Sequence, residues 1–201
     1  MNSINFDTIL STNDFLKSYA KKNNLPDFFF VRANEQTKGK GQRASIWQSE
    51  CCKNILISYY VKYKIPAENQ FLLNRIISVS LIEFLQKFNI PDVKIKYPND
   101  ILSGFYKIAG ILIENTIYKK EIKESIIGIG LNVNQIKFKN LPFAISMKML
   151  TGKTYDLTEL TEILTKILIE NFDKKPEKIS LLYEKYLYRT EVNSIKLTNK
   201  E

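Results

Sequence analysis

Four short stretches of the chain carry residue types that could do chemistry. In EQTKGKGQRASIW (35–47), Gly39 and Gly41 let the backbone turn tightly and approach a ligand with no Cβ in the way. Lys40 and Arg43, beside exposed backbone N–H groups, would attract phosphate or carboxylate oxygens. The stretch closes on Trp47, the only tryptophan of the chain. In KYPND (96–100), Pro98 stiffens the exit from a strand, and Asn99 and Asp100 follow. Asp100 could hold Mg2+, an ion satisfied by one or two carboxylates plus phosphate oxygens. In KIAGILIE (107–114), Lys107 enters an alternating strand with Gly110 inside it. A glycine there suits a close approach, and a lysine so placed could stabilise charge on a transferring phosphoryl group. In GIGLNVN (128–134), two glycines leave room for a flat group, and Asn132 offers both donors and an acceptor. Taken singly, each stretch also fits a plainer reading: a solvated basic turn, a Pro-Asn-Asp turn, a snorkelling lysine beside a packing glycine, a bulged strand. The first is no P-loop and the last no Rossmann fingerprint.

These stretches must be positioned by regular elements. Residues 12–22 read as a short amphipathic helix capped by Ser11 or Thr12. Residues 28–33 and 54–63 read as strands, the second rich in isoleucine, tyrosine and valine. Pro66 opens the longest helix, at about 67–88, with apolar residues near helical spacing. Strands follow at 93–97, 106–118 and 124–134, the last two joined into a hairpin across KKEIK. Helices return at about 143–150, 157–171 and 178–187. This order predicts an α+β fold with a mixed, largely antiparallel sheet flanked by helices.

Composition narrows the function classes. The 201 residues suit one domain, and 44% hydrophobic with 25% charged residues supports a real core. No apolar run approaches the roughly 18–20 residues that span a bilayer, and the first residues lack the basic start and apolar block of a signal peptide. Cys51 and Cys52 are adjacent, with no third cysteine and no histidine, which excludes a disulfide framework and disfavours zinc. A reducing cytoplasm is the predicted location. The net charge of +9 invites a nucleic-acid reading. Of the 30 basic residues, however, only Arg32, Arg43, Arg75 and Arg189 are arginines, the usual residue for bidentate base contacts, and the lysines are spread along the whole chain.

Together, in this order, the four stretches resemble the catalytic domain of biotin–protein ligases, which attach biotin to a carrier lysine. That family carries Ser-Thr-Asn near its start, then Glu-Gln-Thr-x-Gly-Arg-Gly-Arg-x-Gly-Arg-x-Trp, Lys-Trp-Pro-Asn-Asp, Lys-x-x-Gly-Ile-Leu-x-Glu and Gly-x-Gly-x-Asn. Here they stand as STN (11–13), EQTKGKGQRASIW, KYPND, KIAGILIE and GIGLNVN. LPFAISMKMLTGKTYDLTEL (141–160) resembles the segment after the family's last core strand, so the similarity runs from about residue 9 to about 190. It implies a class II aminoacyl-tRNA synthetase-like fold and a two-step reaction through biotinyl-5′-AMP, with ATP and Mg2+ as cofactors and biotin as substrate. It implies that Ser11, Thr12, Asn13 and Gln36 bind the biotin head group. Gly39, Lys40, Gly41 and Gln42 would wrap its chain and carboxylate, with Gly110 alongside. Lys107 would touch both the carboxylate and the α-phosphate, with Lys40 and Arg43 as further catalytic cations. Arg43, Trp47, Asn99, Lys107 and Asn132 would meet the nucleotide, and Asp100 the metal ion. The implied partner is a biotin carboxyl carrier protein, such as an acetyl-CoA carboxylase subunit, with the chain a monomer or weak homodimer and neither DNA nor membrane involved.

Departures from the family pattern carry expectations of their own. Lys40 and Gln42 replace arginines of the lid, Ala44 and Ser45 replace its second Gly-Arg, and Tyr97 replaces a tryptophan. Lysine keeps the charge but loses the planar fork. Cys51 and Cys52 occupy positions where relatives often carry small or turn residues. Ser11 comes too early for a preceding helix-turn-helix domain. Residues 1–187 are read as the catalytic domain and 188–201 as the start of a truncated or absent SH3-like domain. A lipoate–protein ligase shares the implied fold and adenylation chemistry, and a non-catalytic biotin- or carrier-binding module is a second alternative. The Gly-rich basic lid followed by Pro-Asn-Asp favours biotin.

Overall fold

The computed structural model describes residues 2–189, whose strands form one eight-stranded sheet. The strands are β1 (Ser3–Ile9), β2 (Phe29–Gln36), β3 (Ile55–Val61), β4 (Ile65–Pro66), β5 (Val93–Lys96), β6 (Asp100–Ser103), β7 (Tyr106–Tyr118) and β8 (Glu121–Leu131). They lie in the order β1-β2-β3-β8-β7-β6-β5, with β4 also along β8. β1 and β2 are parallel, and every other pair is antiparallel. The mixed, largely antiparallel sheet anticipated from the sequence is therefore observed.

Strand side chains alternate between the two faces of a sheet. On one face, Ile57, Tyr59, Ile111, Ile127 and Ile129 pack into the main core. There they meet Ile77 and Leu81 of helix α2 (Phe71–Lys87) and Leu164 and Leu168 of α4 (Leu157–Phe172). α2 buries 11 of its 17 residues, which is why it is apolar nearly all round. Each fully buried leucine or isoleucine here contributes roughly 1.5–3 kcal/mol. α5 (Pro176–Tyr186) adds Ile179 and Tyr183 to the same core. The opposite face carries a smaller core in which Val31, Tyr60 and Ile126 pack against Leu16 of α1 (Thr12–Ala20). α1 covers only part of that face. At its N-terminus the sheet presents Gly128, Gly130 and Gly110 instead of large side chains.

Several boundaries moved for local reasons. The expected helix at 67–88 begins only at Phe71. Ala67–Asn69 form a 3-10 turn, and the Ala67 N–H bonds the Lys120 carbonyl at 2.8 Å. The expected helix at 143–150 is reduced to α3 (Met147–Thr151), capped by Ser146. The preceding residues run extended along the entrance of β7 instead, with Lys107 N–H bonding Phe143 O at 2.7 Å and Ile145 N–H bonding Lys107 O at 3.0 Å. β1 and β6 were not anticipated. β1 is a largely exposed edge strand, and β6 starts at the Asp100 that had been read as part of a turn. The β7–β8 hairpin forms as expected, with Lys119 and Lys120 both at positive φ in its turn. Leu187 bridges Ile95 of β5 in parallel, and Tyr188 N–H bonds Ile95 O at 2.7 Å. The rest of the stretch read as a further domain lies outside the described residues.

Candidate active site

The N-terminus of α1 meets the glycine rows of the sheet at a cavity of about 200 Å3. Ser11 caps the helix, its Oγ accepting from Asp14 N–H at 3.4 Å. The next two residues are locked into a polar corner. Thr12 N–H and Thr12 Oγ1 both approach Gln36 Oε1, at 2.7 and 3.0 Å. Ser58 Oγ of β3 lies 2.7 Å from Thr12 Oγ1 and 2.6 Å from Asn13 Oδ1. Asn13 Nδ2 donates to Glu114 Oε2 at 3.0 Å, and Lys17 Nζ donates to the other oxygen at 2.9 Å. Partial burial raises the Glu114 pKa, but the hydrogen bonds from Lys17 and Asn13 and the charges of Lys17 and Lys40 outweigh it and hold the carboxyl below its ordinary range.

The orientation of both amides in this corner is determined. The carboxylate of Glu114 can only accept, so Asn13 must turn its NH2 there and its Oδ1 to Ser58. The Thr12 N–H fixes Oε1 of Gln36 in the same way. Thr12, Ser58, Asn13 and Gln36 then make three O···O contacts, yet only two hydroxyl protons are available to fill them. The corner holds more lone pairs than protons, so a ligand bringing N–H donors complements it.

The lid is folded over this corner. Lys40 pairs with Ile46 in an antiparallel bridge, Gly41 N–H bonds Ser45 O at 2.8 Å, and Trp47 N–H bonds Gly39 O at 3.0 Å. Any Cβ at Gly39 would press on Trp47 O at 2.7 Å. The Trp47 ring lies on the row formed by Gly130 and its neighbour Gly110. A Cβ at Gly130 would overlap the indole, and one at Gly110 would reach within 2.9 Å of it. Lys40 reaches across to α1, its Nζ 2.7 Å from Asp14, a hydrogen bond that raises its pKa.

Lys107 completes the cavity from β7. Its Nζ is 2.6 Å from Asp100 Oδ1 and 5.5 Å from the centroid of the Trp47 ring. Lys107, Asp100 and Trp47 also border a second cavity of about 540 Å3, whose other wall includes Phe138, Leu141 and Phe143. Asn132 sits on that border, 3% exposed, with Nδ2 donating to Ile145 O at 3.1 Å. Its Oδ1 and the indole N–H of Trp47 are buried without a hydrogen-bond partner among the described residues. Asn99 ties the lid-facing turn to β7, bonding Ile111 through both Nδ2 at 3.0 Å and its carbonyl at 2.9 Å. Among the described residues no group of three or more His, Cys, Asp or Glu could hold a metal ion. Asp100 is a single carboxylate, a donor set that fits a Mg2+ arriving with phosphates rather than a resident ion.

Residues 6–132 match the model of the Biotin/lipoate A/B protein ligase family. The chain belongs to this family. Over 130 residues it is 30% identical to the bifunctional ligase/repressor BirA of Bacillus subtilis, covering 65% of this chain and 40% of that protein. It is 28% identical over 175 residues to the human biotin–protein ligase, covering 78% of this chain and 23% of the human one. The chain thus spans less than half the length of these relatives. The biotin protein ligase of Aquifex aeolicus in complex with biotin and ATP superposes with a TM-score of 0.77 at 26% identity, over 92% of this chain and 78% of that one.

Within this family member, the residues singled out in the sequence are distributed unevenly. Ser11, Thr12, Asn13, Gln36, Lys40, Gly41, Gln42, Trp47, Asn99, Asp100, Lys107 and Gly110 line the first cavity, and Asn132 the second. Gly39 is buried within the lid and lines neither. Arg43 stands apart, exposed on a left-handed turn at φ 52° and outside both walls. Ser58 and Glu114 were given no role: a serine in an apolar strand carries no local signal, and Glu114, though it closes the KIAGILIE stretch, meets its partners Asn13 and Lys17 only in the fold. Cys51 and Cys52 are exposed with their sulfurs 2.9 Å apart, away from both cavities. Their mutual hydrogen bond is the main reason the Cys51 thiol is pushed up to about 11.

Proposed function

We propose that this chain activates biotin with ATP and transfers it to a lysine of a biotin carboxyl carrier protein. In the first step a biotin carboxylate oxygen attacks the α-phosphorus of ATP, and the bond to pyrophosphate breaks. In the second, the carrier lysine amine attacks the acyl carbon of the mixed anhydride, AMP leaves and the amine gives up a proton. Two anions must meet in the first step, so cationic groups fixed in place lower the barrier. Lys107 is the group for this task. It stands between the two cavities, and its pairing with Asp100 can be exchanged for carboxylate and phosphate oxygens. Asp100 would hold a Mg2+ brought by ATP, whose contribution is neutralisation of phosphate charge. The unpartnered Asn132 Oδ1 and Trp47 N–H suit a base that offers both a donor and an acceptor.

The observation that carries biotin over lipoate is the proton deficit of the polar corner. A ureido ring supplies two N–H donors and one carbonyl, and Gln36 Nε2 and the Ser11 hydroxyl remain to bond that carbonyl. The dithiolane of lipoate supplies no donor and would leave the corner's lone pairs unmet. Biotin-dependent exchange of labelled pyrophosphate into ATP tests the reading. Exchange with biotin and none with lipoate is the expected result; exchange with lipoate, or biotin binding without exchange, would replace it.

Gln42 lines the cavity without a charge at a position where related lids carry arginine. The adenylate is therefore held by one cation fewer. Gln42→Arg is expected to slow the appearance of free biotinyl-adenylate several-fold per turnover, measured by quenching and chromatography. Equal release from the two proteins would remove Gln42 from this role.

A further inference from the structure

Most residues given a role so far line a cavity or belong to the lid, but Ser58 does neither. It is fully buried on β3, outside the walls of both cavities, yet the corner is organised around its hydroxyl. Ser58 is the register partner of Gly128 on β8, and Gly128 in turn pairs with Leu112 on β7. The amide of Asn13 lies across this row, so close to Gly128 that a Cβ there would overlap Oδ1. Ser58 is the one hydrogen-bond partner of Asn13 Oδ1 among the described residues, and Leu112 O accepts weakly from the amide at 3.5 Å. A single Ser58 proton therefore faces two acceptors at nearly equal distance, Thr12 Oγ1 at 2.7 Å and Asn13 Oδ1 at 2.6 Å.

We propose that Ser58 is a positioning residue for the N–H edge of the ligand's ureido ring, an assignment that rests on the biotin reading above. Its hydroxyl rotates about one bond, so its proton can go to whichever of the two oxygens the ligand leaves unfilled. A ligand N–H that takes Thr12 Oγ1 sends the Ser58 proton to Asn13, and one that takes Asn13 Oδ1 sends it to Thr12. The corner thus accepts the ring without leaving a buried acceptor empty, and Asn13 is held over Gly128 before the ligand arrives. The reacting carboxylate lies at the Lys107 end of the cavity, so this contribution belongs to binding rather than to chemistry.

The test is the split between KM and kcat in biotin-dependent pyrophosphate exchange for Ser58→Ala. The expected result is a KM for biotin about tenfold higher, the effect of one lost neutral hydrogen bond, with kcat within threefold of wild type. Ser58→Cys keeps a weak donor at similar volume and is expected to fall between the two, and it decides the matter alone if the alanine variant does not fold. A biotin methylated at one ureido nitrogen supplies the matching ligand change, and its penalty is expected to be at least as large in Ser58→Ala as in wild type, since no Ser58 proton is left to fill the vacated oxygen. An unchanged KM in a wild-type-active background would overturn the role of Ser58 alone, as would a loss of kcat at constant KM, the sign of a merely structural residue. Absence of any biotin-dependent exchange in the wild type would instead overturn the biotin reading, and this role with it.

Discussion

Lys107→Ala is expected to lower biotin-dependent pyrophosphate exchange by more than tenfold while the chain stays folded. The side chain is the cation that borders both cavities, 2.6 Å from Asp100 and 5.5 Å from the ring centroid of the lid tryptophan. A group that neutralises charge developing between carboxylate and α-phosphate acts mostly in the transition state, so its loss appears in kcat and kcat/KM together. Its contribution to stability is small. The Lys107–Asp100 pair is open to solvent, with 37% and 24% of the two side chains exposed, and pairs of that kind contribute about 0–1 kcal/mol. A thermal melt alongside the exchange assay separates the two effects. Full activity in Lys107→Ala would remove this lysine from the mechanism.

The second large effect is expected from Gly130→Ala, a change of one methyl group. The new Cβ would overlap the six-membered part of the Trp47 indole. β8 is the central strand here, hydrogen-bonded to both β3 and β7, and cannot shift. The lid is the movable partner, so the indole must lift off the sheet. Pyrophosphate exchange should then fall at least tenfold, and free adenylate should escape faster. The strain that stays in the fold should be limited to the ~1–3 kcal/mol typical of overpacking. Trp47 is the only tryptophan, so its emission reports the event directly. A shift to longer wavelength in the ligand-free variant is expected, and wild-type emission with wild-type exchange would show that the ring does not need this glycine. Gly110→Ala should act in the same direction more weakly, since its contact at 2.9 Å is less severe.

Lys40 shows how a family motif can be legible in sequence while its local role is not. The motif predicts a cation on the lid. In the folded chain that cation is paired with Asp14, in the first turn of α1, so the lid is fastened to the helix that carries the polar corner. Nothing within residues 35–47 announces Asp14. Arg43 makes the opposite point: the sequence lists it among the basic residues of the lid, and the left-handed turn at that position directs it away from the cavities.

The amino-acid sequence already carries the available residues, the order of the four motifs, the apolar strands and helices, and the α+β class. These follow from local periodicity and from spacing, which a linear chain displays openly. It did not reveal β1 or β6, whose short or exposed patterns depend on neighbours to be strands at all. Tertiary structure alone decided that Ser58, Gly128 and Asn13 stack in one place, that Trp47 lies on Gly130, and that one proton serves two oxygens. The reason is register. Pairing between strands distant in sequence determines which side chains share a face, and a slip of one residue would turn each of them to the other side of the sheet.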